Sequence, residues 1–90
     1  MPLFTTLASQ PAKEIFGGTL RGHYAHGDRL TIGEVQILAN TVLPTHSHPH
    51  EQVSYILSGQ VEFTVGEKTT MMSAGMVALI PGGVPHGCKT

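Results

Sequence analysis

Ninety residues with a formal net charge of −1 make one domain at most, and 40% apolar against 12% charged residues argues against a disordered chain. The absence of any basic run argues against nucleic acid as a partner, and no apolar run approaches the length that spans a bilayer. So low a charge content predicts that a second copy of the chain covers part of the surface.

The opening stretch, MPLFTTLASQPAK, lacks the charged head and long apolar run of a signal peptide. The lone cysteine, Cys88, has no partner for an internal disulfide. Both features predict a cytoplasmic protein. Residues 1–16 are expected to form an N-terminal arm. Eleven glycines and six prolines, scattered along the chain, cut it into pieces too short for a long helix. KEIFGGTLRGHYAHGDRLTIGEVQILAN is expected to be extended, with turns at Gly17-Gly18 and Gly27-Asp28. QVSYILSGQVEFTVGEK predicts a hairpin about Ser58-Gly59, its Val61, Phe63 and Val65 alternating with Glu62 and Thr64. MVALIPGGVPHG predicts a short buried strand and then a loop carrying His86. The fold class is all-β, a sandwich or barrel, in a single domain over residues 1–90.

LPTHSHPHEQ concentrates three of the six histidines in ten residues. In a strand, His46 and His48 would share a face with Cα atoms about 6.6 Å apart, and two imidazoles so placed can converge on one ion. Gln52 has the same parity. A single strand cannot surround an ion, and His86 is the distant group that would complete the set. His50 follows Pro49, which turns the chain, and ranks below Gln52 as a ligand. A His-x-His pair alone is a weak signal.

The spacing around it is more specific. Five residues separate Asn40 from His46, three separate His48 from Gln52, and six separate Gln52 from Gly59. Downstream, Gly75 is followed by five residues, Pro81-Gly82-Gly83, two residues and His86. This pattern, over residues 40–59 and 75–86, resembles the two motifs of the cupin superfamily, G-x5-H-x-H-x3-E-x6-G and G-x5-P-x-G-x2-H. The fifteen residues between Gly59 and Gly75 resemble the spacing of small single-domain bacterial cupins. Asn40 stands in place of glycine and is expected to keep the turn, since Asn tolerates positive φ. Gln52 stands in place of the usual glutamate, and Thr90 where asparagine often ends the second motif.

The resemblance implies a double-stranded β-helix, or jelly-roll barrel, holding one divalent ion (Ni, Fe, Mn, Co or Zn) through His46, His48, Gln52 and His86. HSHPHEQVSYILSGQVEFTVGEK with IPGGVPHG is most similar to the pectin-degradation cupins, which ketonise 4,5-unsaturated uronates. That likeness implies tautomerisation or isomerisation of a small, carboxylated, sugar-derived substrate. The subgroup's acid-base aspartate and substrate-binding arginine lie on a strand beyond the second motif, whereas this chain stops at Thr90. Either the chain is a shortened form, with its barrel incomplete at the C-terminus, or other groups do that work. Arg21, His26, His50, Tyr55 and Cys88 are candidates for the substrate pocket, with His23 and Arg29 behind them. Metal-dependent dioxygenation and non-enzymatic binding of a small ligand or metal are the alternatives. The expected partners are an anionic small molecule and a second copy of the chain, in a homodimer with shared or exchanged strands.

Overall fold

The computed structural model describes residues 3–90, so Met1 and Pro2 of the expected arm lie outside the described residues. The described residues form nine β-strands and two 3-10 turns, at Leu7–Ser9 and Phe16–Gly18, with no α-helix among them. None of their helices is long and apolar enough to cross a membrane. The chain divides into two compact units, one running to Leu38 and the other comprising Ala39–Thr90.

The first unit is a three-stranded antiparallel sheet in the order β1 (Ala12–Ile15), β2 (Leu20–His26), β3 (Thr31–Ile37). Both expected turns are present. Positive φ at Phe16, Gly17 and Gly18 reverses the chain between β1 and β2. The Gly27 N–H closes the next turn by donating to the Leu30 carbonyl at 2.6 Å. Tyr24 lies opposite Gly33 and fills the space that a side chain there would take.

The second unit holds β4 (Val42–His46), β5 (Gln52–Tyr55), β6 (Gln60–Val65), β7 (Lys68–Ser73), β8 (Val77–Ile80) and β9 (His86–Lys89). They form a four-stranded sheet, β4-β9-β6-β7, and a two-stranded sheet, β5-β8, both antiparallel. The hairpin expected about Ser58-Gly59 is absent, because β5 and β6 belong to different sheets. Ile56 prolongs the pairing of β5 toward β8, donating to the Met76 carbonyl at 3.0 Å and accepting from the Gly75 N–H at 2.9 Å. The chain therefore leaves one sheet and enters the other instead of folding back. The tight hairpin is β6–β7, closed by Gly66 and Glu67 with Val65 opposite Lys68.

Alternation decides which side chains face inward. Val61, Phe63 and Val65 of β6 share a face with Cys88 and His86 of β9, through the pairs Phe63–Cys88 and Val65–His86. Glu62 and Lys89 pair on the other face. Met72, Ile80, Val61, Cys88 and His86 are buried, Ile80 completely. β8 is half-buried: Ile80 faces in, while Leu79 is 71% exposed.

Two close approaches hold the motif segments together. The register Val42–Lys89 and Leu43–Cys88 shifts by one residue before His46–His86, a bulge that contains Pro44. A Cβ on Gly87 would lie 3.0 Å from the Leu43 carbonyl oxygen and 3.3 Å from Thr45, so glycine is what lets β9 pass the bulge. The Pro81-Gly82-Gly83 loop rests on the His48-Pro49 loop, where the Gly83 N–H donates to the His48 carbonyl at 2.8 Å. A Cβ on Gly82 would collide with the Pro49 carbonyl oxygen, which is backbone and cannot step aside. Gly82→Ala is expected to destabilise the protein by about 1–3 kcal/mol in urea unfolding. Gly27→Ala, whose nearest contact would be 3.4 Å, should stay within about 0.5 kcal/mol of the parent.

Candidate metal centre

The ligating nitrogens of His46, His48 and His86 all lie within 4.8 Å of one another. Each reaches the cluster differently. His46 ends β4 and sits directly opposite His86 across the β4–β9 ladder. His48 lies beyond the strand, just ahead of a bend at Pro49-His50, so the shared-face relation expected for a continuous strand does not apply. His86 opens β9 rather than sitting on the expected loop. Asn40, at φ 59°, keeps the turn ahead of β4 as its replacement of glycine requires.

The three rings meet at centroid distances of 4.3 Å (His46–His86), 4.8 Å (His48–His86) and 5.8 Å (His46–His48). Their Nδ1 atoms all turn outward to backbone carbonyls. His46 Nδ1–H donates to Pro44 at 3.1 Å, His48 to His50 at 2.8 Å and His86 to Val84 at 2.9 Å. A carbonyl only accepts, so each neutral ring carries its proton on Nδ1 and offers the Nε2 lone pair to the cluster. This is the outer-shell arrangement that orients metal-ligating histidines.

Gln52, the first residue of β5, extends its Oε1 to 2.9 Å from His48 Nε2, while its amide N–H donates to Ser54 Oγ at 2.9 Å. Sequence reasoning misses Ser54; its position two residues along the same strand face is the signal that could have found it. In the tautomer set by the carbonyls, Nε2 and Oε1 both accept, so two lone pairs face each other. A cation against both relieves that conflict. Their separation also matches the edge of an octahedron with bonds of about 2.1 Å, roughly 3.0 Å. His86 is 2% exposed, and its Nε2 has no hydrogen-bond partner among the described residues. Leaving such an atom unpaired costs about 1–3 kcal/mol. A lone pair buried at this cost, with two more imidazoles aimed beside it, fits a bound divalent cation. The three histidines could hold one metal ion.

The other candidates lie outside this cluster or at its margin. His50 is exposed and stacks on His48 at 4.0 Å, with 4° between the planes. Cys88, buried two residues beyond His86, shares its face, and burial raises the thiol pKa, so the group stays protonated near neutrality. Tyr55 and Val53 occupy the face of β5 opposite Gln52 and are exposed. In the first unit, Arg21 stands 3.8 Å from Glu14, His26 Nδ1 is 2.9 Å from Thr31 Oγ1, and His23 donates to the Gln10 carbonyl at 2.8 Å.

Residues 33–90 match the Cupin domain family, Cupin_2. The chain belongs to the cupin family. Among its relatives are an uncharacterized protein of Streptomyces coelicolor, 32% identical over 63% of this chain and 54% of that one, and the H2HPP isomerase of Bacillus subtilis, 35% identical over 63% and 27%. The dimethylsulfoniopropionate lyase DddQ of Ruegeria pomeroyi is 33% identical over 70% of this chain and 32% of its own. The chain thus spans about half or less of the length of these curated relatives. Among solved structures, KdgF from Halomonas sp. superposes with a TM-score of 0.85 at 19% identity, covering 98% of this chain and 81% of that one. An RmlC-like cupin from Shewanella frigidimarina gives 0.79 at 22% identity, over 98% and 79%. At such identities the likeness is one of fold, and the expected all-β, cupin-type jelly roll is what these cupins share with this chain.

Protein purified without a histidine tag is expected to bind about one equivalent of divalent ion by elemental analysis and calorimetry. Metal at a hundred times its Kd should raise unfolding stability by about 2.7 kcal/mol. The double substitution His46→Ala, His86→Ala should abolish both effects.

Proposed function

We propose that this cupin is a metal-dependent enzyme that tautomerises or isomerises a small carboxylated substrate, with 4,5-unsaturated uronates as the first class to test. The observation that carries this reading is the donor set: three imidazoles and one carboxamide, all neutral, converging without a carboxylate. His46, His48, Gln52 and His86 would hold the ion. A divalent ion bound there supplies uncompensated positive charge and Lewis acidity to a carboxylate and its neighbouring oxygen. The pattern departs from the two-histidine-one-carboxylate set of many iron oxygenases, which places dioxygenation second. The fold likeness to KdgF and the relationship to an enzyme named as an isomerase support the same choice.

The residues around the donors do the rest. The Pro44, His50 and Val84 carbonyls hold three protons on the outer nitrogens, so the inner ones stay available. Ser54 fixes the face that the Gln52 carboxamide presents. His50, stacked on His48 and open to solvent, is the imidazole placed to move a proton at the mouth of the site. A homodimer belongs to this reading. Val53, Tyr55, Val77 and Leu79 form an outward apolar face on β5–β8, with Val53 61% exposed. Sedimentation at micromolar concentration should show a dimer, and a monomer would remove that part of the reading.

The metal-loaded protein is expected to consume unsaturated uronates or related unsaturated keto acids, seen as loss of ultraviolet absorbance. His50→Ala should lower kcat about 10²- to 10⁴-fold with metal content unchanged. Oxygen uptake with Fe(II), in place of isomerisation, would decide for the dioxygenase.

A further inference from the structure

The inner face of the four-stranded sheet bears more than the histidines. Following the registers across it, His46 faces His86, His86 faces Val65, and Val65 faces Lys68. Directly paired residues project to the same side, so the two histidines and Lys68 stand in one lateral row. Between the inner face of β6–β7 and β8 lies a cavity of about 300 Å³, walled by Phe63, Val65, Met72 and Met76, with Lys68 and Thr70 as its polar members. That volume is at the small end of ligand pockets. Val65 belongs to both places: it walls the cavity and is the cross-strand neighbour of His86.

Lys68 forms no ion pair among the described residues. The sheet's acid, Glu62, faces the other side opposite Lys89. Lys68 is exposed, so water solvates its ammonium in the free protein. At the edge of an apolar cavity, with no acid on its face, it is available to pair with an anionic group of a bound ligand. Within the class of small carboxylated substrates, these walls favour a hydrocarbon middle, which suits Phe63, Val65 and Met72. The hydroxyl-rich body of a uronate would find only the Thr70 side chain as a hydroxyl partner. A ligand with such a hydrocarbon middle departs from the uronates while keeping the metal site. We propose that Lys68 is a second anchor for the substrate, which is therefore a two-ended acid: one carboxylate at the histidine cluster, a mostly apolar middle, and a second anionic group on Lys68, assisted by Thr70. Two strand spacings separate Lys68 from His86, about 10 Å between backbones, and both side chains rise from the same face of the sheet. A diacid of about five or six carbons, with a metal–oxygen bond at one end and a hydrogen bond at the other, covers that distance. The inference takes the metal-holding role of the histidines from the reading above and adds the far end of the ligand.

An inward lysine on an edge strand has an ordinary alternative use, since β7 ends the sheet and a charge there discourages pairing with another chain. Calorimetry separates the two. Metal-loaded protein is titrated with glutarate and adipate, and with butyrate as the one-ended control. Lys68→Gln is expected to weaken diacid binding about tenfold while leaving butyrate and metal content unchanged, and Lys68→Arg to retain most of the affinity. Equal diacid affinity in parent and Lys68→Gln, or self-association of Lys68→Gln as its sole change, overturns the proposal and leaves the isomerase reading untouched. Loss of metal binding in the parent protein would instead strike the histidine site, and the Lys68→Gln comparison on metal-free protein would still report on the lysine.

Discussion

One inserted residue in β4 determines whether this chain has a site at all. Continuing the register of Val42–Lys89 and Leu43–Cys88 would bring Thr45 opposite His86. The bulge at Pro44 moves the chain on by one, so His46 takes that place. Because strand side chains alternate with a period of two, the shift also decides which face His46 occupies. Two residues forty positions apart in sequence thus become direct cross-strand neighbours. Proline suits the bulge because it has no N–H to give the ladder. Glycine at position 87 suits the opposing strand because the bulged backbone passes within 3.0 Å of where a Cβ would be. The third imidazole depends on a separate contact: the His48 carbonyl accepts from Gly83, and the Pro49 carbonyl occupies space that only glycine at position 82 leaves open. The glycines and prolines of the two motifs are therefore geometric conditions for bringing the histidines together.

Much of this is legible in the sequence, and the rest is hidden for definite causes. The all-β class and the crowding of His46 and His48 can be read from residue type and spacing, because each depends on local sequence; His86 and the turn at Asn40 join them only through the motif resemblance. Strand partners cannot be read that way. QVSYILSGQVEFTVGEK has every local mark of a hairpin, yet Tyr55 pairs with Val77 and Val65 with Lys68. Local propensity decides that a segment is extended; its partner is chosen by longer-range burial. The bulge is hidden for a related reason: a proline inside a strand pattern announces an irregularity without its size, and one residue more or less reverses the face. The carbonyl partners of the three Nδ1 atoms are also invisible, since a backbone carbonyl leaves no mark in the sequence.

The electrostatics of the inner face derive from the same alternation. Glu62 and Lys89 stand opposite each other on the outer side, while the inner side carries His46, His86 and Lys68 and no carboxylate of the sheet. A glutamate at position 52 would have offset half the charge of a divalent ion; a glutamine offsets none. With the ion present, both ends of the row His46–His86–Val65–Lys68 would be positive, with Val65 between them. Like charges on one face repel, solvent at the exposed His46 and Lys68 damps that repulsion, and a ligand with negative charge at both ends relieves what remains. A neutral sugar chain relieves none of it, and a single carboxylate relieves one end. The neutral donor set and the unpaired lysine, though far apart in sequence, therefore select for the same property of the ligand.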